Sequence, residues 1–146
     1  MRFVVVDASV AVKWLLPQQP EEADVDKALQ LLQAVSRQDV RMLQPPHFLA
    51  ELMGVVVRLA PDHAERLFAA VQYMEMSVAD NAAVYQTAMR LSRELKHHLF
   101  DTLYHAVALE NKDTVLITAD AVYYRKAAVM GNIQLLQDYL SESTKT

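Results

Sequence analysis

Phe3-Val4-Val5-Val6-Asp7-Ala8-Ser9 reads as a short strand that runs into a carboxylate and a hydroxyl. Its side chains alternate between the two faces of a sheet, so an unbroken apolar run requires both faces to be covered. Val115-Leu116-Ile117-Thr118-Ala119-Asp120 repeats the pattern. Residues 133–136 form a weaker third run, and Met42-Leu43 and Met76-Val78 read as edge strands. Between these runs the apolar spacing is helical. Val25, Ala28, Leu29, Leu32 and Val35 lie on one stripe, within a helical segment over 21–37. Ala64, Leu67, Phe68 and Val71 form another, with Asp62 and Glu65 spaced as a capping box. Val84, Ala88, Leu91 and Leu95 form a third, starting from Asp80 and ending in Lys96-His97-His98, which suits the helix dipole. Further helices are expected over 46–59, entered by Pro45-Pro46, over 101–111 and over 121–130. Buried strands alternating with helices predict an α/β fold with a mostly parallel central sheet.

Composition narrows the function. The 146 residues are 53 % hydrophobic and 22 % charged, as for one domain with a sizeable core, expected over 1–140 with a frayed tail over 141–146. The absence of Cys excludes disulfides, thiolate zinc sites, iron–sulfur clusters and cysteine nucleophiles. Only Gly54 and Gly131 are glycines, against hairpin-dense β architectures. The longest apolar stretch, 52–57, is closed by Glu51 and Arg58, too short for a membrane helix. The first residues meet a carboxylate too early for a signal peptide, so a cytoplasmic, soluble protein is expected. With 14 basic and 18 acidic residues the net charge is −4. Such a chain does not hold nucleic acid by a basic surface alone; a phosphate substrate would need another attraction.

Four carboxylates offer one. Asp7 and Asp120 follow the two firmest strands, where an open parallel sheet places its ligands. Each, taken alone, also reads as a cap of the next helix. Glu51 lies in Phe48-Leu49-Ala50-Glu51-Leu52-Met53, apolar on nearly every face, with no Lys or Arg at i±3 or i±4. It sits on a narrow exposed stripe, or is held inside by a cation or by a basic group from elsewhere. Asp101, in Phe100-Asp101-Thr102-Leu103-Tyr104-His105, alone reads as an N-cap. Gathered at one rim, these carboxylates would repel one another unless a cation joined them. Hard oxygen ligands point to Mg²⁺ or Mn²⁺, which would attract a phosphodiester and activate water for its hydrolysis.

The same residues resemble the PIN-domain family and, within it, the VapC-type ribonuclease toxins of bacterial and archaeal toxin–antitoxin pairs. The resemblance runs along essentially the whole chain: Val4-Val5-Val6-Asp7-Ala8-Ser9, a mid-helix Glu51, Asp101 within Phe-Asp-Thr-Leu-Tyr-His-Ala-Val-Ala-Leu-Glu, and Leu116-Ile117-Thr118-Ala119-Asp120. It implies a three-layer α/β/α sandwich, a Mg²⁺- or Mn²⁺-dependent endoribonuclease, a small antitoxin as partner and a homodimer. Asp7, Glu51, Asp101 and Asp120 fall on the family's acidic positions, with Asp7, Asp101 and Asp120 holding metal and Glu51 also near it, orienting or deprotonating water. Ser9 and Thr118 fall on the hydroxyl positions that support the cluster.

Other features have plainer readings. His97, His98 and His105 are expected at helix ends and on the surface rather than as ligands. Trp14-Leu15-Leu16 follows the first helix, as core or, on the resemblance, as part of an apolar groove for the antitoxin. Lys13, Arg125 and Lys126 read as solvated side chains or RNA contacts. Two alternatives stay open: a stand-alone PIN nuclease for RNA processing, and a non-catalytic α/β interaction module whose acidic residues are caps.

Overall fold

The computed structural model describes residues 1–141, so the expected tail lies, apart from Ser141, outside the described residues. The first run forms β1 (Phe3–Val6), and Val4, Val5 and Val6 are all fully buried, so both faces of the strand are covered. The chain continues through α1 (Ala8–Leu15), α2 (Val25–Ser36), β2 (Arg41–Gln44), α3 (Phe48–Leu59) and a short 3₁₀ turn to α4 (Ala64–Gln72). It then forms β3 (Met76–Val78), α5 (Ala82–Leu95), α6 (Leu99–Leu109), β4 (Thr114–Thr118), α7 (Ala121–Ala127) and β5 (Ile133–Leu135).

Among the described residues the strands form one sheet in the order β3-β2-β1-β4-β5, every pair parallel. β1 is aligned with β4 from Phe3↔Thr114 to Val6↔Ile117. Helix α6 crosses β1 and β4 with α5 packed on it, while α1 packs against α2 and α3, giving the three-layer α/β/α arrangement. The core joins Val4, Val5, Leu116 and Ile117 of the strands to Leu31, Phe48, Leu52 and Tyr104 of the helices. The chain moves outward from β1 to β2 and β3, then returns to the other side of β1 as β4. That reversal opens a crevice beyond the carboxyl ends of β1 and β4, where ligands of such sheets bind. No described helix is long and apolar enough to cross a membrane.

Several helix starts differ from the sequence reading. Helix α2 begins at Val25 rather than near residue 21, because Asp24 takes a left-handed φ of 58° that a helix cannot include. The Asp62–Glu65 capping box does not form: Asp62 lies in the 3₁₀ turn and His63 stands at the start of α4 without a side-chain cap. Helix α5 is capped by Asn81, whose Oδ1 accepts from the Val84 N–H at 3.1 Å, and not by Asp80. Helix α7 is shorter than 121–130, its last three residues tightening into a 3₁₀ turn before Gly131 at φ 80°. Trp14 lies within α1, where its indole N–H donates to the Ala28 carbonyl at 2.7 Å and ties α1 to α2.

Candidate active site

Asp7 occupies the cap position of α1, yet its side chain does not cap it. Its Oδ2 instead accepts from the Ser9 hydroxyl at 2.8 Å and from the Thr118 hydroxyl at 2.7 Å. Both hydroxyls also accept a main-chain N–H: Ser9 Oγ from Ala119 at 3.2 Å, and Thr118 Oγ1 from Asp120 at 3.0 Å. These four bonds join the end of β1 to the end of β4. The Asp7 N–H extends the ladder to the Ile117 carbonyl at 3.1 Å. On the other side β2 offers no main-chain ladder at Val6. There the Gln44 amide stands in, with Oε1 accepting from the Val6 N–H at 2.7 Å and Nε2 donating to its carbonyl at 2.8 Å. Gln44 is buried, so this pairing fixes the backbone immediately before Asp7.

Asp101 is not an N-cap. His98 takes the cap position of α6, and Asp101 sits in its first turn. Its Oδ2 accepts a 2.7 Å bond from His97 Nε2. His97 Nδ1 faces Lys126 Nζ, a donor only, at 3.1 Å, which leaves the imidazole hydrogen on Nε2. Asp120 does cap α7, its Oδ1 accepting from the Tyr123 N–H at 3.0 Å. Ligand atoms of His97, Asp101 and Asp120 all lie within 4.8 Å of one another, so the cap reading does not remove Asp120 from the cluster.

Glu51 lies in the first turn of α3 with its side chain 33 % exposed, between the two sequence alternatives. The partner from elsewhere is a neutral phenol: Tyr104 on α6 donates its hydroxyl to Glu51 Oε1 at 3.2 Å. His47, one turn before, places Nε2 3.7 Å from Oε2. Burial pushes the Glu51 carboxyl up to about 7, with the charges of Asp7 and Asp101 adding to the rise and the Tyr104 bond opposing it. Burial also raises Asp7, against the Thr118 and Ser9 hydroxyls, and Asp101 raises it further. Tyr104 is held firmly protonated by burial and by the charges of Asp7 and Glu51. Burial lowers His47, which the Phe100 main chain and Asp101 partly restore.

The fold thus brings Asp7, Glu51, Asp101 and Asp120 to one rim, with Ser9 and Thr118 as buttresses. The sequence reading missed Gln44, His47 and Tyr104. Each left a signal: a polar residue closing a short apolar strand, a basic side chain at i−4 from Glu51, and a hydroxyl three residues after Asp101. His97 belongs to the cluster rather than to the surface. His105 is fully buried, its ring nitrogens engaged by the Tyr123 hydroxyl at 2.8 Å and the Gly131 carbonyl at 2.7 Å. Lys13 is also buried, paired with Glu22 at 3.1 Å, and is neither solvated nor free to meet RNA. Lys126 is committed to His97 and to the Lys96 carbonyl.

Known structures share this architecture. A toxin–antitoxin complex from Klebsiella pneumoniae is 16 % identical at a TM-score of 0.66, covering 91 % of this chain and 97 % of that one. VapBC2 from Rickettsia felis, bound to a DNA fragment from its promoter, is 14 % identical at 0.65, covering 91 % and 96 %. VapBC-1 from nontypeable Haemophilus influenzae is 15 % identical at 0.65, covering 92 % and 98 %. At these identities the likeness is one of fold. No curated protein sequence matches the chain. Residues 4–129 do match the family model of the PIN domain, a span that includes all four carboxylates, and the chain belongs to the PIN domain family of nucleases.

Proposed function

We propose that the chain is a divalent-metal-dependent endoribonuclease and the toxin of a VapC-type toxin–antitoxin pair. The observation that carries this reading is the convergence of Asp7, Glu51, Asp101 and Asp120 beyond β1 and β4, close enough for their charges to act on one another. The donors are carboxylate oxygens with no thiolate among them, a set that fits Mg²⁺ or Mn²⁺, while His97 gives its Nε2–H to Asp101. Asp7, Asp101 and Asp120 would hold the ion, with Glu51 beside it. When bound, the ion supplies charge neutralisation at the phosphodiester and a more acidic water.

The chain's own groups do the rest. Glu51, beside the cluster with Oε2 not engaged by Tyr104, is placed to take a proton from water. Ser9 and Thr118 hold Asp7 in one orientation, and the His97 Nε2–H does the same for Asp101. In-line attack by water, rather than by the RNA's own 2′-hydroxyl, leaves a 5′-phosphate and a 3′-hydroxyl.

The toxin assignment is supported by the solved structures of like fold, one described as a toxin–antitoxin complex and two as VapBC assemblies. A cleft between the ends of α1 and α3, where Leu15, Leu16, Pro17, Leu59 and Pro61 stand beside Gln18, Gln19, Asp62 and His63, offers a groove of mixed polarity for an antitoxin segment. On this reading the protein works in the cytoplasm as a homodimer. The test is cleavage of a mixed RNA pool by antitoxin-free protein, with Mg²⁺ or Mn²⁺ and with EDTA, for wild type, Asp7→Asn, Asp101→Asn and Glu51→Gln. Metal-dependent cutting lost in the variants is expected. Absence of cutting together with no thermal stabilisation by metal would favour the non-catalytic alternative.

A further inference from the structure

An aromatic wall flanks the carboxylate cluster. Phe100 immediately precedes Asp101 on α6 and is 60 % exposed, a large apolar ring left facing water. Its centroid lies 5.4 Å from that of His47, the planes tilted by 49°. His47 in turn stands edge-on to Tyr104, the donor to Glu51, at 4.8 Å. His47, Ala50, Glu51 and Phe100 line one cleft, so the rings and a carboxylate share the same space. His47 is largely enclosed, both ring nitrogens being shielded from solvent, with the Glu51 carboxylate 3.7 Å from Nε2, so it backs the Phe100 ring rather than meeting an occupant by its edge.

The occupant of this cleft must satisfy two conditions. It needs a flat apolar face for Phe100, which His47 backs, and a group that belongs beside a set of carboxylates and their cation. An aliphatic protein side chain would cover the phenyl ring but leave the carboxylates desolvated. A nucleotide meets both, with a π face and a phosphate. We propose that Phe100 and His47 form a platform for one unpaired nucleobase of the substrate, beside the phosphate that is cut. The proposal rests on the nuclease reading and deepens it. A base held in a duplex stack cannot reach such a platform, so the enzyme acts on single-stranded or looped RNA.

The experiment is steady-state cleavage of a mixed-sequence single-stranded RNA and of the same sequence in a duplex, by wild type, Phe100→Ala, Phe100→Trp and His47→Ala. Loss of a stacking ring is expected to raise KM by about 5- to 100-fold with a smaller change in kcat. Phe100→Trp should restore KM, and wild type should prefer the unpaired substrate. The Phe100 side chain is exposed, so the melting temperature of Phe100→Ala should stay at the wild-type value and a raised KM cannot be ascribed to unfolding. Wild-type cutting with an unchanged KM in Phe100→Ala would overturn the platform and leave the nuclease reading standing. An unchanged KM with an altered oligomeric state would also overturn it, assigning the ring to a second copy of the chain. A wild type that cuts neither substrate under any metal would remove both readings.

Discussion

Raising the pH should destabilise the metal-free protein through Glu51. The carboxyl rises from an ordinary 4.5 to about 7 on folding, so between those values the folded state binds more protons than the unfolded one. Stability falls with pH wherever the folded state holds the extra proton. The contribution is therefore fully present below about 4.5 and is lost as the pH climbs through about 7. A rise from 4.5 to about 7 sets a ceiling of about 3 kcal/mol. The side chain is 33 % exposed, and solvent screening reduces the ceiling to about 1–2 kcal/mol. For a chain of this size that is a fall in melting temperature of about 3–8 °C.

Asp7 contributes with the same sign, its carboxyl being raised by burial. The buried imidazoles of His47 and His105 act oppositely: lowered by burial, they favour unfolding at acid pH and cease to do so above their ordinary range. The readout is therefore the difference between wild type and Glu51→Gln, followed by thermal unfolding in EDTA from pH 5 to 8 at constant ionic strength. Wild type should lose ground to the variant as the pH rises. Added Mg²⁺ should stabilise wild type more at pH 8 than at pH 5.5, because at the lower pH protons on the raised carboxyls compete with the cation. A difference that is flat across the range, or that turns in favour of wild type at high pH, would refute the burial of Glu51 as described.

Two further outcomes follow from the ties around Asp7. Thr118→Val removes one of its hydroxyl donors and the acceptor of the Asp120 N–H, so metal affinity should fall by about 10- to 100-fold; a Mg²⁺ titration of melting temperature measures this, and an unchanged midpoint would show that Thr118 does not position the carboxylate. Gln44→Leu leaves the buried Val6 N–H and carbonyl both unpaired, which should cost about 2–4 kcal/mol in chemical denaturation. Stability within about 1 kcal/mol of wild type would mean that the strand end pairs in another way.

What could be read from the sequence, and what could not, divides along the distance between partners. β1 and β4 were legible because burial on both faces writes itself into consecutive residues, and the carboxylates at their ends followed from where parallel strands stop. β2 and β3 lay where short apolar runs indicated, but only β3 is an edge strand: β2, read from the sequence as an edge, is paired on both sides, and the second edge is β5. Helix starts were less legible, because Ser, Asp and Asn residues near a boundary compete for the cap: Asn81 prevailed over Asp80, and the 3₁₀ turn displaced Asp62. The contacts of the site were least legible. Tyr104 meets Glu51 across 53 residues, Thr118 meets Asp7 across 111, and Gln44 meets Val6 across 38. No local period carries such pairings; they exist only once β1 stands between β2 and β4.

That placement also answers the question raised by the chain's net charge of −4. Of the three basic residues the sequence singled out, Lys13 is paired with Glu22 and Lys126 with His97 and a main-chain carbonyl, while Arg125 is exposed on α7. What the rim presents instead is a set of carboxyls whose ionisation is costly, Asp7 raised by burial and by Asp101, and Glu51 by burial and by Asp7 and Asp101. Hydroxyls, a phenol and an imidazole steady those carboxylates without neutralising them. On the proposed nuclease reading, what completes the cluster is a divalent cation shared with a phosphodiester, whose charge and preference for oxygen ligands fit both sides.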